Sequence, residues 1–302
     1  MEKAAVTLDS IDTYNNLYGL PTHHPLVTVI DLKNATRIVN NLTITYGVYA
    51  IFLKQGVQCS IRYGQRNYDY HEGTLVTFAP GQVVDVEMAQ PVLAPDVLGL
   101  MFHPDLMYGT PLASKINSFS FFNYSSIEAL HLSTDERQKF LECLRLIDEE
   151  IKHPVDQHSA QLLSANIQLL LEYMERFYDR QFITRHKVNS QIVGNFQKQL
   201  KEYFNGTQLR HGLPAVSYFA DKANLTPGYF SDLIRKETGT SPKDLISLHM
   251  LNEAKSRLAS DKTDISVIAY SLGFEYPAHF TRMFKRMTGQ SPTEYRASLG
   301  NN

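Results

Sequence analysis

The sequence predicts an α+β protein in two parts. An N-terminal antiparallel β-barrel with following helices precedes an all-α part, in which two helix-turn-helix motifs are joined by a long helix. Three observations predict it. Residues 26–102 are broken into short runs of Val, Ile, Thr, Tyr and Phe separated by turn residues. From Ser133 onward apolar residues recur at helical spacing instead. The last hundred residues repeat one unit at an offset of 50. A length of 302 residues suits two domains.

The predicted strands run from Leu26 to Leu32, Thr43 to Leu53, Thr74 to Phe78, Val83 to Met88 and Val97 to Phe102. Gly56, Gly64, Gly73 and Pro80-Gly81 punctuate them, which places a barrel or sandwich over about 22–105. Helices follow over about 133–178. Ser133 with Glu136 is a capping-box signature, with Phe140, Leu144, Ile147 and Ile151 behind it. From Ser159 to Tyr178, Leu163, Ile167, Leu170, Met174 and Phe177 form one stripe, with further apolar residues on other faces. So wide an arc must be covered, by the barrel or across a homodimer. Asp179 to Asn189 reads as the join between a first domain, 1–183, and a second, 184–302. A helix bearing Val188, Ile192, Phe196, Leu200 and Tyr203 opens the second domain.

The repeat then takes over. Phe230, Thr238-Gly239 and Ser241-Pro242 recur as Phe280, Thr288-Gly289 and Ser291-Pro292, and Ala220 answers to Ala269 at an offset of 49. Each copy, about 214–239 and 264–289, has a short helix with a small alanine, a turn at Asn224 or Gly273, and a second helix with Pro227 or Pro277 near its start. Thr226 is placed to cap the first of these. In a helix-turn-helix the second helix enters the major groove with its N-terminal residues on base edges. The outward positions nominate Gly228, Ser231, Asp232, Pro277, Ala278, Thr281 and Arg282 for base contact. Arg282 leads, because a guanidinium bonds guanine O6 and N7 together. Asp232 either accepts from a cytosine amino group or orients a neighbouring cation. Lys222, Arg235, Lys236, Lys285 and Arg286 are phosphate-contact candidates. The helix Pro242–Ser260 would hold the two reading helices about one duplex turn apart, ~34 Å.

Charge agrees with a nucleic-acid partner at the back. From Thr184 to Asn302 there are 16 Lys/Arg against 10 Asp/Glu, whereas the first 183 residues hold the remaining 13 and 21. No apolar run reaches the roughly 18–20 residues of a membrane span. Met1 to Ser10 lacks the apolar segment of a signal peptide, and Cys59 and Cys143 have neither disulfide-framework nor zinc-site spacing. A cytoplasmic protein without membrane contact is expected.

The C-terminal residues resemble the AraC/XylS family of bacterial transcription regulators over about Pro214 to Arg296. The likeness lies in Ile268-Ala269, Leu272-Gly273-Phe274, Phe280, Arg282, Phe284-Lys285, Thr288-Gly289, Ser291-Pro292 and Tyr295-Arg296; His279 stands where the family usually has Tyr. The front half is similar to the family's cupin-like sensor barrel, locally in Glu72-Gly73-Thr74-Leu75 and Ala79-Pro80-Gly81-Gln82. The resemblance implies double-stranded DNA and RNA polymerase as partners, a small-molecule effector in the barrel, and a homodimer through the helices of about 133–178.

An apolar, aromatic-lined cavity for such an effector could be built from Tyr46, Tyr49, Arg62, Tyr68, Tyr70 and Phe78, of which strand alternation turns about half outward. A filled core is the alternative for each. A metal centre is not expected: His71 is alone, His23-His24 read as exposed loop residues before the first strand, and His103 follows the last. No cofactor is called for, and no nucleophile elbow or P-loop marks an enzyme. The rival reading is a cupin-type small-molecule enzyme whose helical end serves oligomerisation.

Overall fold

A computed structural model describes residues 4–37, 39, 42–55, 59–62, 73–88, 95–125, 128–206, 209, 212–260 and 263–299. The chain forms two compact units, Met1–Thr184 and Arg185–Asn302.

In the first unit the described strands are β1 (Ala4–Leu8), β2 (Val27–Asp31), β3 (Leu42–Tyr46), β4 (Tyr49–Lys54), β5 (Cys59–Arg62), β6 (Thr74–Phe78), β7 (Val83–Met88), β8 (Val97–Phe102) and β9 (Leu130–His131). They make two sheets, ordered β1-β3-β7-β5 and β2-β8-β4-β6-β9. Between them lies a core of Leu8, Ile44 and Val84 from one sheet and Ile30, Phe52, Val76, Phe78 and Met101 from the other. Among the described residues the pairing leaves two sheets and closes no barrel. It is not purely antiparallel either, because β1 runs parallel to β3 with Ala4 opposite Leu42. A parallel neighbour needs a crossover. Here it includes helix α1 (Ile11–Tyr18), capped by Ser10 and ended at Gly19 with φ +67°.

The two sheets differ in what covers them. β3 alternates buried and half-buried residues, as a strand with one wet face does, and Val83 on β7 is exposed. β4 and β6 are buried on both faces. Ile51, Leu53, Leu75, Leu100 and Phe102, whose side chains turn away from the inter-sheet core, are buried on the other side. Three-ten turns at Pro104–Met107, Ile116–Ser118 and Ser120–Asn123, short helix α2 (Pro111–Lys115), and long helices α3 (Thr134–Lys152) and α4 (Ser159–Thr184) supply that cover. Thr77 ties the layers by donating to the carbonyl of Phe121 at 2.8 Å. The capping box at Ser133 and Glu136 forms as the spacing predicts, and Glu136 also receives Arg180 of α4 at 2.6 Å.

The second unit is helical. α5 (His186–Asn205), α6 (Val216–Ala223) and α7 (Pro227–Thr238) form one lobe, with Phe196 of α5 edge-on to Phe219 and Phe230 at 5.0 and 5.4 Å. α9 (Ile265–Ser271), α10 (Pro277–Thr288) and α11 (Pro292–Leu299) form the other, with Phe280 against Phe274 and Phe284, and Phe284 against Tyr295. The predicted α5 stripe needs one correction: Val188 is exposed and Asn189 is buried, so the buried side begins with Asn189 and continues through Phe196, Leu200, Tyr203 and Phe204. The connector α8 (Pro242–Ser260) packs on α5, α7, α9 and α11. Arg257 of α8 pins α9 through two 2.8 Å bonds to Ser271.

Candidate nucleic-acid interface

The repeated residues carry the same bonds in both copies. Thr238 donates to Ile234 and accepts from the amide of Thr240, and Thr288 does the same with Phe284 and Gln290. Gly239 and Gly289 take the left-handed conformation that ends each second helix, at φ +73° and +79°. Ser241 and Ser291 then cap the next helix by accepting the amides of Asp244 and Glu294. The Ser291 amide and hydroxyl together hold the Glu294 carboxyl below its usual range.

The turn inside each motif is solved differently. In the first copy Asn224 takes φ +57°, and its amide reaches the carbonyls of Ala220 and Asp221. In the second, Gly273 takes φ +85° with its Cα turned onto the backbone of Gly212 and Leu209, where an added Cβ would meet main-chain atoms at 3.1 Å. Tyr203 of α5 donates to the carbonyl of Gly212 at 3.1 Å, so Gly212 is held by the first lobe while it backs Gly273 of the second.

On α7, Tyr229, Phe230, Leu233 and Ile234 are buried. Gly228, Ser231 and Asp232 are half-buried, and Arg235 and Lys236 are exposed. Ser231 donates to the carbonyl of Pro227 at 2.6 Å. Asp232 lies 3.7 Å from Arg235, so a base-contact candidate and a phosphate-contact candidate share an ion pair. Lys222 on α6 is exposed, with its ammonium 5.1 Å from the centre of the Tyr218 ring.

On α10, Phe280, Met283 and Phe284 are buried. Arg282, Lys285 and Arg286 are exposed, as is Ala278, whereas Pro277 and Thr281 are half-buried. The exposed arc is therefore centred on Arg282 and turned toward Arg286 and His279, away from Pro277 and Thr281. The outward positions of the wheel leave out His279, which the resemblance marks only as a departure from a usual tyrosine. Its spacing three before Arg282 and seven before Arg286 was the available signal. His279, Arg282, Met283 and Arg286 line one concave surface of α10.

Residues 219–298 match the family described as a helix-turn-helix domain. The C-terminal unit carries a helix-turn-helix domain of the AraC type. It is similar to the uncharacterized HTH-type transcriptional regulator YobQ of Bacillus subtilis (strain 168), 34% identical over 84 residues, which are 28% of this chain and 35% of that protein. It is also similar to the raffinose operon transcriptional regulatory protein RafR of Pediococcus pentosaceus, 35% identical over 77 residues, 26% of this chain and 28% of that one. Among solved structures, the C-terminal domain of the response regulator yesN from Fusobacterium nucleatum aligns with 34% of this chain and 96% of its own, at 25% identity and a TM-score of 0.31. The chain spans about a third of the length of the curated relatives it matches.

The described candidates in the first unit, Tyr46, Phe78 and Tyr49, fall on two sides of a sheet. Tyr46 and Phe78 stack with centres 4.7 Å apart inside the inter-sheet core. Tyr49 turns to the other side of its sheet, stacked on Phe102 at 5.1 Å and edge-on to Phe122 at 4.9 Å. Tyr68 and Tyr70 lie outside the described residues, as do His71 and the side chain of Arg62. His24 is not the exposed loop residue the sequence suggested. It is buried, and its Nδ1 accepts the amide of Leu26 at 3.1 Å. His23 is exposed, and His103 caps a three-ten turn by accepting the amide of Asp105. Among the described residues no three His, Cys, Asp or Glu side chains come together as a metal cluster. Nor is any described helix long and apolar enough to cross a membrane.

Proposed function

We propose that the protein is a DNA-binding transcription regulator that reads two segments of a duplex through α7 and α10. The observation that carries this reading is the cationic, solvent-facing side of α10 inside the helix-turn-helix match over 219–298. Arg282 at its centre is the base-contact residue. Gly228, Ser231, Asp232, Ala278, Pro277 and Thr281 border the two reading surfaces, and Lys222, Arg235, Lys236, Lys285 and Arg286 meet phosphates. The α8 connector, pinned by Arg257, sets the spacing of the two helices. The domain of residues 184–302 is then the DNA-binding part. Residues 1–183 form a cupin-like sensing and dimerisation part that takes a small-molecule effector and pairs with a second copy through the helices of about 133–178. The regulator works in the cytoplasm with RNA polymerase, and it is assigned no catalytic step.

Purified full-length protein and a duplex pool test the reading. Five phosphate contacts release about five counterions' worth of binding, so log K should fall with log salt at a slope of about −4 to −5. A tail that ignores every duplex at low ionic strength, or binds with no salt dependence, would overturn it.

A further inference from the structure

We propose that His279 is a base-reading residue of α10, set beside Arg282 so that the pair discriminates neighbouring base pairs in one major-groove segment. This rests on the reading of α10 as a DNA-reading helix, and it adds a residue that the outward positions of the sequence wheel left out.

The repeat supplies the first argument. The position fifty residues earlier is Tyr229, which is buried, with its amide bonded to the Thr226 hydroxyl that caps α7. In the second copy Tyr276 replaces that threonine, and the N-cap of α10 makes no side-chain bond. His279 is exposed there. A position that serves packing in one copy is thus released to the surface in the other, on the third residue of a reading helix, where base edges are met.

The neighbours supply the second argument. Pro277 and Ala278 offer no polar side chain, and the Thr281 hydroxyl already donates to the Pro277 carbonyl at 3.1 Å. His279 shares its concave surface with Arg282 and Arg286. The edge-on Tyr276 ring, 5.5 Å from the imidazole centre, helps to orient it. An imidazole carries at least one N–H donor in every tautomer. Guanine offers O6 and N7 as acceptors in the major groove, and adenine offers N7. The shorter His279 would therefore contact a purine next to the one held by Arg282.

The test is selection of bound duplexes from a randomised pool by the full chain and by H279A and R282A variants, with binding measured across a salt series. H279A should fold as the parent does, keep the parent's salt slope and lose about three- to tenfold of the preference at one base pair. R282A should lose preference at a neighbouring pair. If R282A alters the selected motif and H279A does not, the inference falls while the reading of α10 stands. If H279A keeps the motif but lowers the salt slope by about one, His279 is a phosphate contact and the inference also falls. If neither variant changes the motif, or the parent selects none, the reading of α10 itself fails and takes the inference with it.

Discussion

The two helix-turn-helix copies share their frame and differ in what they do with it. In the first, an asparagine makes the turn, a threonine caps the second helix, and a ring of α5 is driven between α6 and α7. Its outward face carries Asp232 beside Arg235, with Lys236 also exposed. In the second copy the turn is a glycine pressed on Gly212, the cap side-chain bond is absent, and the outward face carries Arg282, Lys285 and Arg286. The threonine bonds, glycine stops and serine caps after the second helix recur in both copies and hold the shared scaffold. The outward side chains take no part in those bonds, so one copy is free to become the stronger reader. Affinity should then be divided unequally between the copies, although their cores are alike.

The largest effects test whether the cores are alike. Phe230 and Phe280 are fully buried equivalents, and truncating either to alanine should cost about 3–5 kcal/mol. Hydrogen exchange on the full chain should show F230A loosening α5 to α7 first and F280A loosening α9 to α11 first. Equal loosening everywhere would mean that the lobes form one cooperative body. The turns come next. G273A combines a left-handed backbone with a Cβ 3.1 Å from main-chain atoms that cannot yield cheaply, and should cost about 1–3 kcal/mol in urea unfolding. N224G should be nearly neutral, because glycine adopts φ +57° without strain.

The outward faces differ in sign. R282A should weaken binding to the selected duplex by about 1–3 kcal/mol. D232A removes a carboxylate and releases Arg235, and should strengthen binding to any duplex by up to about 1 kcal/mol, the scale of an exposed ion pair. Titration of both variants against one duplex checks this. A loss on D232A confined to one base pair would instead make Asp232 an acceptor for a cytosine amino group, and the first copy a reader in its own right.

The repeat is why the back half was so legible. Two prolines, two Thr-Gly stops and two Ser-Pro starts at one offset bracket α7, α8, α10 and α11, and the structure begins all four helices on prolines of these pairs. The front half gave less. The predicted runs fall on β2, on β3 with β4 as one run, and on β6, β7 and β8, whereas β1, β5 and β9 are not predicted. β composition does not say which edges pair, so barrel and sandwich stay open in the sequence and the parallel β1–β3 contact is not foreseen. The turn-rich run from Pro104 to Asn123 has no periodicity to betray that it covers a sheet. Within the site, the wheel puts Phe280, Met283, Phe284 and Met287 on the buried side of α10, and the first three are buried while Met287 is half-buried. Of its outward positions, Ala278, Arg282 and Lys285 are exposed, while Pro277 and Thr281 are half-buried.

The smallest expected effect asks whether acid separates the copies. His249 of α8 lies against Phe204 of α5, ring centres 5.0 Å apart, on the side of the connector that serves the first lobe. Burial lowers its pKa, and Lys201 lowers it further against the opposing pull of Glu253. The folded lobe thus prefers the neutral ring, and the unfolded chain binds the proton first. The stabilisation is complete above the ordinary value of 6.5 and is lost as the pH falls through the lower folded value. The carboxyls of Glu136 and Glu294, held below 4.5, add their own loss only in stronger acid. Between pH 7.5 and 5.5, exchange in α5 to α7 should therefore rise slightly while α9 to α11 hold, and a His249→Gln variant should abolish the difference. Equal acid sensitivity in both lobes would place the titrating group elsewhere and remove His249 from the contrast between the copies.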